Sequence, residues 1–66
     1  MLRILINKEQ KEFDGYSSLA VYLRKQDLPK DIHNAAVDDA LKTLPSMPYS
    51  KEQIDYYQWL FTGIKR

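Results

Sequence analysis

The sequence contains no cysteine, which rules out disulfide staples, thiolate metal sites and cysteine nucleophiles, and which points to the cytoplasm as its compartment. Its only glycines are Gly15 and Gly63, so no glycine-rich loop is available to cradle a phosphate. A single histidine, His33, has only Asp31, Asp38 and Asp39 near it in sequence, and these do not give the spacing of a zinc site. His33 falls on the apolar side of its segment and is expected to be a packed residue, hydrogen-bonded to backbone or to a tyrosine hydroxyl. Ser17, Ser18, Ser46 and Ser50 all stand at cap or turn positions, and none lies in a G-x-S-x-G context. No catalytic residue, cofactor or metal is therefore expected, and the chain does not read as an enzyme.

Charge of one sign is also lacking. Ten basic residues against nine acidic leave a net charge of +1, too small to draw in nucleic acid, an anionic membrane or an acidic substrate by long-range attraction. The longest apolar runs, Ile4-Leu5-Ile6 and Trp59-Leu60-Phe61, fall well short of the roughly 20 residues that span a bilayer. With Lys8 and Glu9 following Arg3 so closely, no secretory signal is expected either.

What the chain does have is aromatic residues: five tyrosines, two phenylalanines and one tryptophan among 66 residues. Several of them fall in the segment that carries the strongest helix signals, Tyr49 to Ile64. Ser50 with Gln53 three residues on has the form of a capping box, and Tyr49 with Ile54 that of a hydrophobic staple. Gly63 stands where a left-handed residue ends a helix, with Ile64 folding back as the accompanying apolar contact. At about 100° per residue, Ile54, Tyr57, Leu60, Phe61 and Ile64 share one broad face, with Tyr56 at its margin. That face is predicted to be core, and Trp59 points away from it into the sector of Asp55 and Thr62.

Upstream, Leu2 to Ile6 (LRILI) reads as a strand with Leu2, Ile4 and Ile6 on one face. Asn7 to Gln10 can turn the chain, and Lys11 to Phe13 can return as a short second strand before Asp14-Gly15 breaks it. A lone hairpin is marginal in water, so its apolar face must lie on the helices. Tyr16 to Gln26 carries a helical pattern with Leu19 and Leu23 flanked by Tyr16 and Ala20, and Ser17 or Ser18 as candidate N-cap. Leu28 before Pro29 marks its end. Pro29 suits the first position of a second helix whose stripe runs through His33, Ala36, Val37, Ala40, Leu41 and Leu44, until Pro45 and Pro48 stop it. The chain is thus expected to be a single small domain, residues 1–66, of the α+β class: an N-terminal β-hairpin packed on three short helices. The alternative is a three-helix bundle with an extended N-terminal arm.

Two functions fit this reading. The first is a non-enzymatic protein-binding module, a regulator, inhibitor or adaptor that docks through its aromatic C-terminal helix onto another protein or its own copy. Trp59, Tyr56 and Tyr22, with Asp55, are its candidate contact residues, since aromatics with a polar edge are favoured interface anchors. The second is a DNA-binding helix-turn-helix regulator with Pro29 to Leu44 as recognition helix. Against it, the outward positions of that helix, Lys30, Asn34, Asp38 and Lys42 with Asp31 and Asp39 beside them, are not the basic set that a groove-reading helix needs.

Overall fold

A computed structural model describes all residues, Met1–Arg66, and has the α+β architecture: a two-stranded antiparallel hairpin followed by three helices. Strand β1 (Leu2–Ile6) pairs with β2 (Glu9–Phe13) in the register Leu2 opposite Phe13 through Ile6 opposite Glu9. The side chains of β1 alternate as the sequence predicts, with Leu2, Ile4 and Ile6 buried and Leu5 exposed. Directly opposed residues share a face, so Phe13 and the half-buried Lys11 join the inner side, while Arg3 and Glu12 meet on the outer side at 3.3 Å. The second strand is two residues longer at its start than the sequence suggests. Asn7 and Lys8 alone make the turn, with φ of 51° and 68°, the doubly left-handed geometry whose twist matches that of a hairpin. Asparagine tolerates this conformation, but lysine pays a steric penalty there.

Helix α1 (Tyr16–Lys25) buries Tyr16, Leu19, Ala20 and Leu23. Its N-cap is Gly15 in extended backbone, with no side-chain cap bond, so neither serine performs the expected capping. The Ser17 hydroxyl lies instead 3.0 Å from the hydroxyl of Tyr57, a tertiary contact to the last helix. Helix α2 (Lys30–Thr43) buries His33, Ala36, Val37 and Ala40. Pro29 stands one position earlier than expected, as the N-cap, and its carbonyl accepts from the His33 N–H at 2.9 Å. A single 3₁₀ turn, Leu44–Ser46 with Pro45 inside it, leads to helix α3 (Lys51–Ile64).

The three helices and the hairpin enclose one cluster of twelve buried apolar residues. Leu2, Ile4 and Ile6 come from the hairpin, and Phe61 is the one fully buried residue of α3. Tyr16 is central. Its ring meets Phe61 edge-on at 5.5 Å and 85°, Tyr57 at 5.5 Å and Tyr49 at 5.8 Å. Its hydroxyl donates to the carbonyl of Ala40 at 3.2 Å. Burial, with smaller contributions from Tyr49 and Asp39, pushes the Tyr16 phenol up to about 12 from its ordinary 10.0. No helix is long and apolar enough to cross a membrane.

Candidate functional site

The outer side of α3 carries the two exposed aromatic side chains of the protein, Tyr56 and Trp59. The helix starts with the complete capping box: the Ser50 hydroxyl accepts from the Gln53 N–H at 3.2 Å, and the Gln53 side-chain oxygen accepts from the Ser50 N–H at 3.2 Å. This fixes its phase. Phe61 turns into the core, Ile54, Tyr57, Leu60 and Ile64 lie half-buried around it, and Trp59 faces outward with 72% of its surface exposed. Tyr56 is 54% exposed, and its ring lies 6.2 Å from that of Trp59. Tyr56 in turn touches Tyr57 at 5.4 Å, and Tyr57 touches Tyr16. An unbroken chain of ring contacts therefore runs from the core to the surface and ends at Trp59. Asp55 is exposed one turn before Trp59.

Tyr22 does not belong to this group. It is half-buried, and its ring packs on Phe13 of the hairpin at 5.3 Å. Of the four candidates, the structure brings together Trp59 and Tyr56, sets Asp55 on the same helix, and uses Tyr22 to join α1 to β2.

The C-terminal end of α3 departs from the sequence reading. Gly63 is helical, its φ is not positive, and the helix runs on through Ile64 to a cap at Lys65. Side chains of α2 take the place of a left-handed stop. The Nε2 atom of His33 lies 3.0 Å from the carbonyl of Ile64. A carbonyl only accepts, so this nitrogen carries the hydrogen and donates. Asn34 binds both backbone groups of Arg66: its Nδ2 donates to the Arg66 carbonyl, and its Oδ1 accepts from the Arg66 N–H, each at 2.9 Å. Lys65 pairs with Asp38 at 2.9 Å, and the Arg66 guanidinium donates to the carbonyl of Leu28 at 3.1 Å. The buried His33 and two outward residues of α2, Asn34 and Asp38, thus latch the end of α3. His33 is the packed, backbone-bonded residue expected of it, and its Nδ1 is buried without a partner.

Between this latch and α1 lies an open groove of about 700 Å³. Leu23, Leu60, Ile64 and Trp59 form its apolar walls, His33 and Gly63 also line it, and Arg24 and Arg66 are its charged groups. No aspartate or glutamate side chain lines it. Arg24 makes no ion pair, since those present are Arg3–Glu12, Lys11–Glu9 and Lys65–Asp38. Gly63 is the gap in the wall: a Cβ built there meets nothing within 4 Å. Neither backbone conformation nor crowding calls for glycine at this position, and glycine weakens a helix by up to about 1 kcal/mol relative to alanine. The sequence hid this groove because its residues come from three separate helices. Only the phase of Trp59 pointed toward it.

His, Asp and Glu side chains nowhere gather in threes that could hold a metal ion. Comparison with protein-family models, with curated proteins and with solved structures finds no match to the chain.

Proposed function

We propose that this protein is a small non-enzymatic binding module, a regulator, inhibitor or adaptor acting in the cytoplasm, that docks another protein or its own copy through the outer face of α3. The observation that carries this reading is the exposure of Trp59 beside Tyr56 at the mouth of an apolar groove. Exposed tryptophan adds little to folding, whereas at an interface its large rigid surface makes it a frequent centre of binding energy. The helix that carries it is fixed at both ends, so little conformational entropy remains to be lost on docking. Asp55, exposed on the same helix, would contribute a polar rim contact.

The test is the emission maximum and iodide quenching of Trp59 across a dilution series of the purified chain. A red-shifted, readily quenched indole at low concentration is expected, turning blue and protected when a partner or a second copy covers it. An indole that stays blue and protected at every dilution, with no partner added, would overturn the reading.

A DNA-binding helix-turn-helix role receives less support. Asn34 and Asp38, on the outward side of the would-be recognition helix, are already engaged with Arg66 and Lys65. A helix with those positions occupied and with Asp31 in its first turn has little to offer a phosphate backbone.

A further inference from the structure

From the groove beside Trp59 we infer the chemistry of the partner: an acidic, amphipathic segment of another protein, whose apolar side chains pack along Trp59, Leu60 and Ile64 while its carboxylates meet Arg24 and Arg66. This deepens the docking role proposed above and rests on it.

Two independent observations support the assignment. The first is charge. The groove carries two arginines and no acidic residue, and Arg24 has no ion-pair partner within the chain. Apolar walls rimmed by cations of one sign complement a segment that alternates apolar and acidic side chains, and they repel a basic one. A second copy seated groove on groove would set these arginines against one another. The second is Gly63. A glycine inside a helix, in an ordinary helical conformation and with open space where its side chain would stand, weakens its own helix and fills no local packing need. What its missing side chain does provide is room against the helix backbone on the groove wall, where another chain can approach closely. Substituting Gly63 by alanine should therefore separate the two effects, strengthening the fold while obstructing the groove.

The probes are three short helical peptides with leucine at every third or fourth position and glutamate, glutamine or lysine elsewhere, titrated into the full chain labelled with nitrogen-15. The glutamate peptide is expected to bind, moving the Trp59 indole signal and the amides of Arg24, Leu60, Gly63 and Ile64. The glutamine peptide should bind about tenfold more weakly, and Arg24→Glu should weaken the glutamate peptide by a similar factor. Binding should fall as ionic strength rises. Gly63→Ala should lower affinity while raising the thermal midpoint, a combination that a merely structural glycine would not produce.

Equal binding of all three peptides, unchanged affinity in Gly63→Ala, or no signal movement with the glutamate peptide up to about 1 mM would each overturn the inference. The failures are distinguishable. If the lysine peptide, or the chain itself at high concentration, covers Trp59 and Trp59→Ala abolishes that contact, docking through α3 stands and the acidic occupant falls. If nothing perturbs Trp59 and its indole is already protected in the free monomer, the docking role falls with it.

Discussion

Phe61 and Trp59 stand two positions apart on one helix and should respond to truncation in opposite ways. Phe61 is fully buried and packs edge-on against Tyr16 at 5.5 Å. Phe61→Ala loses the transfer energy of the ring and leaves a cavity, about 3–5 kcal/mol together. At about 0.05–0.15 kcal/mol per residue, a chain of 66 residues holds about 3–10 kcal/mol in total. The alanine variant should thus lose between about a third and all of the stability of the fold. Phe61→Leu keeps most of the volume and should cost about 1–2 kcal/mol, and at about 4–8 °C per kcal/mol for a domain of this size the thermal midpoint falls about 5–15 °C. Trp59→Ala removes a side chain that is 72% exposed. Its effect should stay within about 0.5 kcal/mol, helped by the better helix propensity of alanine, so the midpoint moves less than about 4 °C. Circular dichroism at 222 nm, followed in parallel thermal and urea unfolding of the three variants, measures this directly. A Phe61→Leu midpoint within about 2 °C of the parent, or a Trp59→Ala midpoint lower by about 8 °C or more, would show that the phase of α3 has been misjudged.

Alkaline pH should destabilise the fold through Tyr16. Its folded-state value of about 12 lies above the ordinary 10.0, so the folded form holds the phenolic proton more tightly, and the stability linked to it is fully present below pH 10 and lost as pH rises toward 12. With solvent screening allowed for, the loss is on the order of 1–2 kcal/mol. Tyr16→Phe should flatten this dependence in urea unfolding between those pH values, at a neutral-pH cost of about 1 kcal/mol for the hydrogen bond to Ala40; a slope unchanged in that variant would assign the effect to another group. Lys8→Gly should raise the thermal midpoint by removing the penalty of a left-handed lysine at φ 68°, a gain of about 1 kcal/mol, and a lowered midpoint would contradict the turn geometry. Asn34→Ala should lower stability by about 1 kcal/mol and speed amide exchange at Lys65 and Arg66, whereas unchanged exchange there would mean that Asn34 does not hold the end of α3.

Patterns written in neighbouring residues were the ones legible in the sequence. The alternation in LRILI gives the buried face of β1, the Ser50–Gln53 pair gives the start of α3, and the helical period from Ile54 to Ile64 places Phe61 inward and Trp59 outward. The misplaced features all depend on groups distant in the chain. Ser17 is a sound cap by local rules, yet its hydroxyl meets Tyr57, forty residues on. Gly63 has the form of a helix stop, yet His33 and Asn34, about thirty residues earlier, satisfy the end of α3 so that no left-handed residue is required. Tyr22 shares a residue type with Tyr56, but Phe13 takes its ring into the contact between α1 and β2. The turn at Asn7-Lys8 is a milder case: lysine is an uncommon choice in the left-handed region, so local preference alone extends the turn to Gln10, two residues past its end.

The exposure of Trp59 follows from how fully the rest of α3 is committed. A solvent-facing tryptophan could be buried by a modest rotation of its helix if that helix were free to turn. Here three independent sets of contacts oppose rotation. The capping box fixes the first turn, the packing of Phe61 and Tyr57 on Tyr16 fixes the inner face, and His33, Asn34 and Asp38 fix the last turn from α2. Turning the helix enough to cover Trp59 would expose Phe61, at about 3 kcal/mol for a large apolar side chain, and would break the two-point grip of Asn34 on Arg66. Burying the indole would return a similar amount, so the lost polar contacts at both ends of the helix tip the balance against the rotation. The tryptophan is held in water by the folding of its own helix, so the area it offers can be covered only from outside the fold.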